Sequence, residues 1–225
     1  MTRPLPQSAL RFPLSSIFST EVNLRVLREL SRHGGQLSAT DLMMRARVTH
    51  PSVIKALTTL TEFSIVAEAG SRRSRVYRLE PESPFHAALV HLFNAEEARF
   101  DESIQAVREC AQSFGTDVIA AWIYGSVARG EDKAHSDLDI MFISAEDAVN
   151  SVQHRAVDIL LEHALRLKFS PSVSVLSLVD LKRLADGNDP LWNDLVNQAL
   201  GVIGPRPDVI LKAAEKSTND QSRFQ

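Results

Sequence analysis

Two aspartates two positions apart, Asp137 and Asp139, open the apolar run Ile140–Ile143, and a Gly-Ser pair, Gly125-Ser126, closes an earlier apolar run, Val118–Tyr124. If both runs are neighbouring strands, side chains alternate with period two and the two carboxylates face the same side. Carboxylates that close repel each other unless a cation joins them. A hard divalent ion suits them, Mg²⁺ with Mn²⁺ as the alternative, because such ions take oxygen ligands and bind one or two carboxylates together with substrate phosphates. Gly125 lets the backbone approach a ligand and adopt a positive φ, and Ser126 adds a hydroxyl and an N–H for phosphate oxygens. Each half alone has a plain explanation, Gly125-Ser126 as a strand-ending turn and Ser136-Asp137 as an Asx-type turn. Their joint occurrence between two apolar runs points instead to chemistry on a nucleoside triphosphate.

The segment resembles the nucleotidyltransferase signature of the DNA polymerase β superfamily, a Gly-Ser followed about a dozen residues later by Asp-x-Asp on a strand. The residues that carry it are Gly125, Ser126, Arg129, Gly130, Ser136, Asp137 and Asp139. The resemblance is closest to small bacterial nucleotidyltransferase-domain proteins with an N-terminal winged helix-turn-helix, and spans roughly Glu21 to Gly204. It implies that Asp137 and Asp139 are the catalytic, metal-holding pair, and that Gly125 and Ser126 grip the β- and γ-phosphates. Arg129 would add positive charge near the triphosphate or form a salt bridge to a neighbouring acid. Ser136 is expected to shape the turn and His135 to be loop surface.

Nucleotidyl transfer in the superfamily uses two metals that polarise the α-phosphate, stabilise the leaving pyrophosphate and activate the attacking oxygen. Active members carry a third carboxylate on the next strand, within an apolar-Asp-apolar triplet. The matching run here, Val173-Ser174-Val175, offers Ser174. Asp180 lies beyond that strand and Asp158 in a helical stretch. A neutral hydroxyl is a poorer metal ligand and proton acceptor than a carboxylate.

At 225 residues the chain suits one large domain or two small ones, and 44% hydrophobic with 24% charged residues is an ordinary globular composition. One cysteine, Cys110, excludes an internal disulfide, and no Cys/His cluster suggests zinc. With no signal-peptide core and no apolar span of about 20 residues, a cytoplasmic protein without membrane contact is expected. The net charge of −3 is divided unevenly: residues 1–80 hold 12 Arg/Lys against 6 Asp/Glu, and residues 81–225 hold 13 against 22. A basic third on an acidic body fits a polyanion partner for the first and a metal-requiring site in the second.

The expected fold class is α/β (α+β): an N-terminal winged helix-turn-helix followed by a polymerase-β-like nucleotidyltransferase domain, a small mixed sheet flanked by helices. Residues 1–18, with three prolines and no sustained period, read as an arm. Residues 19–80 read as the winged helix-turn-helix. A helix from Thr20 ends at His33-Gly34-Gly35, and Ser38 with Asp41 caps a second. Thr49 caps a third with Pro51 in its first turn. Two short strands follow around Gly70–Ser74. His50, Ser52, Lys55 and Thr59 on the third helix, with Arg72, Arg73 and Arg75 on the wing, are the candidate contacts to double-stranded DNA. Residues 81–115 read as linker and connecting helix, whose apolar stripe is a candidate homodimer contact. Residues 116–204 read as the nucleotidyltransferase domain, including a helix to Leu167 that Ser144 caps and Val157 faces inward from. Residues 205–225 read as a polar tail.

Three functions fit this reading. The leading one is a DNA-binding transcriptional regulator coupled to a domain that binds NTP–Mg²⁺, with NMP transfer to an unknown acceptor as its possible chemistry. The others are an active protein- or RNA-modifying nucleotidyltransferase of toxin–antitoxin type, its winged helix serving autoregulation, and a catalytically dead DNA-binding regulator.

Overall fold

The computed structural model describes residues 7–71 and 74–221, the last seven of these as backbone only. It divides into two compact units, Met1–Ala98 and Arg99–Gln225.

In the first unit, α1 (Leu14–Ile17) and α2 (Glu21–His33) are followed by β1 (Leu37–Ser38), α3 (Ala39–Ala46) and α4 (His50–Glu62). The hairpin of β2 (Val66–Ser71) and β3 (Ser74–Leu79) comes next, and α5 (His86–Ser113) begins in this unit and ends in the second. The order helix, strand, two helices, hairpin, with an antiparallel sheet β1-β3-β2, is that of a winged helix. Local chemistry sets the helix ends. The Thr20 hydroxyl accepts from the Asn23 N–H at 3.1 Å, and Gly34 closes α2 with φ 67°. Ser38 and Asp41 form a reciprocal capping box, each side chain accepting from the other's backbone N–H at 3.1 Å. Thr49 occupies the N-cap of α4 without a cap bond, its hydroxyl paired with that of Ser52 at 2.9 Å. Val26, Leu27, Leu30, Leu42, Val53, Leu57, Leu60 and Ile65 fill the core.

The expectation of a free arm over residues 1–18 fails at Leu14–Ile17. Ile17 is fully buried in this core, a burial worth about 1.5–3 kcal/mol before ordering costs. Asn23, itself buried, donates to the carbonyls of Ile17 (3.1 Å) and Ser16 (3.3 Å). One apolar anchor held by one asparagine leaves no periodic trace in the sequence.

The second unit continues with β4 (Val118–Tyr124), α6 (Gly125–Arg129), β5 (Leu138–Ser144), α7 (Val149–Leu167) and β6 (Pro171–Ser177). Then follow α8 (Leu178–Asp186), α9 (Pro190–Gln198), β7 (Leu200–Ile203) and α10 (Pro207–Gln221). The sheet order is β6-β5-β4-β7, with β5 and β6 parallel and the other pairs antiparallel. Parallel neighbours need a crossover, and α7 supplies it. One sheet face, with Ala121, Ile123, Ile140, Phe142 and Val175, packs against Val107, Ala111, Val152, Ala156 and Leu160. The other, with Ala120, Trp122, Met141 and Ile143, packs against Leu181, Leu195, Ile210 and Leu211. Trp122 satisfies its indole N–H on the Pro205 carbonyl at 3.1 Å.

Two further expectations are corrected. The described part of residues 205–225 is no mere tail, because α10 buries Ile210 and Leu211. Ser144 does not cap α7: it is buried, its hydroxyl donates to the Ala145 carbonyl, and the helix starts only at Val149, with Ala156 inward and Val157 40% exposed. The apolar stripe of α5 is consumed by the cores, Leu89 and Phe93 in the first and Val107, Cys110 and Ala111 in the second. Leu92 and Phe100 stay exposed. Among the described residues no helix is long and apolar enough to cross a membrane.

Candidate nucleotide and metal site

The sheet register decides what surrounds Asp139. Tyr124, the last residue of β4, stands opposite Asp139 on one side, and Ser172 of β6 stands level with it on the other. The chain then turns at Gly125 with φ 72°, a backbone that side-chain-bearing residues rarely adopt. A Cβ on Gly125 would lie 2.2 Å from Oδ2 of Asp139. Glycine is therefore required here for two independent reasons, the left-handed φ and the close passage over a carboxylate. This brings the backbone that opens α6 onto Asp139.

Burial holds the carboxyl of Asp139 above its ordinary value of 3.8, and the charge of Asp137 adds to the effect. A hydrogen bond from Ser172 and the charge of Arg129 act the other way. Two carboxylates with such mutual repulsion fit one divalent cation that completes its shell with phosphate oxygens and water. Asp137 and Asp139 would hold that ion, which would neutralise phosphate charge. Among the described residues, no group of three His, Cys, Asp or Glu is gathered for a metal.

The third ligand position differs from the expectation. Ser174 is level with Met141, one residue pair deeper into the sheet, whereas Ser172 is level with Asp139 and bonded to it. The sequence pattern singles out Val173-Ser174-Val175 because the apolar flanks are there, but β6 starts at Pro171 against Leu138, which sets the register two residues earlier. Ser172, the residue of β6 level with Asp139, offers a hydroxyl and no carboxylate.

Arg129 is engaged. Its guanidinium bonds to Glu131 at 2.9 Å and to Asp194 of α9 at 3.2 Å, which raises its pKa, the Glu131 hydrogen bond first. The alternative of a salt bridge is thus the one observed. Ser136 shapes the turn, accepting from the N–H of Lys133 at 2.9 Å while donating its own to the Lys133 carbonyl. His135 is exposed. Asp194 is a residue sequence reading missed, since only the packing of α9 brings it to Arg129.

In the first unit, His50 and Lys55 of α4 are exposed, while Ser52 and Thr59 are half-buried. Arg75 forms an ion pair with Glu68 at 3.2 Å, diagonally across the hairpin, and Arg72 and Arg73 lie outside the described residues. Arg45 and Arg47, at the end of α3 just before α4, are exposed and have no ion-pair partner among the described residues. They fall outside any amphipathic pattern, so only the turn between α3 and α4 reveals them beside His50.

Residues 105–199 match the family described as "Polymerase beta, Nucleotidyltransferase", and this segment, which contains Gly125, Ser126, Arg129, Asp137, Asp139 and Ser172 but none of the first unit's candidate residues, is a nucleotidyltransferase domain of that type. No curated protein matches the chain. Among solved structures, a toxin–antitoxin with AMP-PNP is 16% identical over 53% of this chain and 87% of its own, with a TM-score of 0.35. The adhesin competence repressor AdcR from Streptococcus pyogenes is 18% identical over 43% of this chain and 74% of its own (TM-score 0.32). NadR in complex with 4-hydroxyphenylacetate is 20% identical over 45% and 83% (TM-score 0.31).

Proposed function

We propose that the chain is a cytoplasmic DNA-binding transcriptional regulator whose nucleotidyltransferase domain binds a nucleoside triphosphate, foremost ATP, with Mg²⁺ or Mn²⁺. The observation that carries the nucleotide half is the closure of Gly125 onto Asp139, 2.2 Å from the Cβ that glycine lacks. A backbone that passes this near a carboxylate pair has phosphate-binding N–H groups on one side and metal ligands on the other. The DNA half rests on the winged-helix topology and on Arg45, Arg47, His50 and Lys55, all exposed, between the end of α3 and the first half of α4. Such cations fix a helix in the major groove by binding phosphates.

Binding rather than turnover is the function favoured, because Ser172 leaves the second metal short of a carboxylate. The second reading, an active nucleotidyltransferase acting on protein or RNA, keeps the aspartate pair as its support. Incubation with α-labelled ATP, GTP, CTP and UTP, Mg²⁺ or Mn²⁺ and cell extract separates them. The proposal expects label retained on the folded protein and lost on denaturation. Label covalently fixed to protein or RNA would establish the transferase, and no retention of any nucleotide would overturn both.

A further inference from the structure

The outward side of α4 is apolar at its centre. Val53, Ala56, Leu57 and Leu60 face the core, so at about 100° per residue the opposite side is centred on Pro51, Ile54, Lys55 and Thr58. All four are exposed, Ile54 by 40%. Ser52 and Thr59 stand at the margin of this side and are half-buried.

The hydroxyls nearby are spent within the protein. Thr58 donates to the Ile54 carbonyl at 2.9 Å, which leaves its methyl group as the free end of an exposed side chain. Thr61 donates to the carbonyls of Leu57 (2.8 Å) and Thr58 (3.0 Å), and the hydroxyls of Thr49 and Ser52 pair with each other. The helix also lacks Arg, Asn and Gln, the side chains that make paired hydrogen bonds to guanine or adenine. Of its exposed side chains only His50 and Lys55 remain as free donors.

Charge decides which part of α4 approaches a duplex. Arg45, Arg47, His50 and Lys55 are exposed before it or in its first half, whereas Glu62 ends it and shares a hollow with Glu68 of the hairpin. The free N–H groups at the helix start add partial positive charge. The first half of α4, with Ile54 in it, is therefore the part that a polyanion draws in. In a major groove, an apolar side chain meets one group of its own kind, the 5-methyl of thymine.

We infer that α4 recognises its DNA site through thymine methyl groups, read by Ile54 and Thr58, while Lys55 holds a phosphate. Side chains four apart on a helix are about 5–6 Å apart and base pairs rise about 3.4 Å, so the two thymines lie one or two steps apart. The inference rests on the DNA reading of the first unit and is independent of the nucleotide site.

The test starts from duplexes enriched from a random pool on the full chain. The strongest is remade with deoxyuridine for each thymine in turn, which removes the methyl and keeps the base pairing and the charge. Enriched duplexes should carry two thymines within three base pairs. Loss of either methyl should weaken binding about fourfold, the worth of one buried methyl group, without changing the salt slope. Ile54→Ala and Thr58→Ser should each weaken binding to the thymine duplex at least as much and lose the response to one of the methyls. Thr58→Val keeps the methyl and loses the hydroxyl, and should bind as wild type. If Ile54→Ala melts early, the two Thr58 variants decide. Equal binding of uracil and thymine duplexes by wild type overturns the inference. So does a uracil penalty that Ile54→Ala and Thr58→Ser retain in full, or a pool in which duplexes bind but no thymine pair is enriched. Each of these leaves the DNA reading standing. A dimer that Ile54→Ala dissociates, with duplex binding unchanged, would assign the face to a second copy and also overturn the inference. Absence of salt-dependent binding to any duplex sinks the DNA reading and the inference together.

Discussion

Gly125 and Asp139 depend on each other, and the consequences are measurable at single residues. Gly125→Ala must hold alanine at φ 72°, a backbone cost of about 1–2 kcal/mol, and also push Asp139 aside. Urea denaturation should show at least that loss, accompanied by loss of triphosphate binding. Asp139 itself has a carboxyl raised by burial, so the folded protein binds its proton more tightly than the unfolded chain does. Its ionisation therefore costs stability as pH rises from the ordinary carboxylate value through the raised one. In metal-free buffer, Asp139→Asn should raise the melting temperature at neutral pH and converge on wild type below about pH 3.8. Equal melting at every pH would contradict the repulsive pair. Cys110 is buried and its thiol is pushed up to about 11 by desolvation. At pH 8 it should resist iodoacetamide until the domain unfolds, and rapid native alkylation would show the core to be open.

Two capping boxes make the cleanest predictions for whole elements. Ser38→Ala and Ser177→Ala each remove a reciprocal cap, from α3 and α8, and each should cost about 1 kcal/mol by chemical denaturation. The hydrogen bonds from Ser38 and Ser177 hold Asp41 and Asp180 below the ordinary carboxylate value. Their contribution is complete above that value and is lost as pH falls through the depressed ones, so the alanine variants should differ least from wild type in strong acid. An undiminished difference there would deny the carboxylate its part. The Ser38 cap of α3 was legible from residue type and position, whereas the return bond from Asp41 to the Ser38 N–H was read only as a favourable first-turn charge. The strand β6 was visible too, but its register was not. Pairing of Ser172 rather than Ser174 with Asp139 depends on where the turn after α7 releases the chain, and no residue type reports that. The same holds for Asp194, which reaches Arg129 across 65 residues of sequence through the packing of α9.

Over the whole molecule, the division into a winged helix and a polymerase-β-type domain was readable because charge, helix periodicity and the Gly-Ser…Asp-x-Asp spacing all agree. The ends were not, since Ile17, Ile210 and Leu211 gain their meaning only from cores that the rest of the chain builds. The two units invite separable tests. Arg47→Ala and Lys55→Ala should each lower the slope of log affinity against log salt for duplex DNA by about one, without touching nucleotide binding. Unchanged slopes would remove the α3–α4 turn from the DNA surface. The nucleotide claim is tested most directly by titration calorimetry of ATP with Mg²⁺ into wild type, Asp137→Asn and Asp139→Asn. Wild type should bind with measurable heat that disappears on omission of the metal, and neither variant should bind although both remain folded. Absence of heat in wild type with all four nucleoside triphosphates, or metal-dependent binding that both variants retain, would contradict the site.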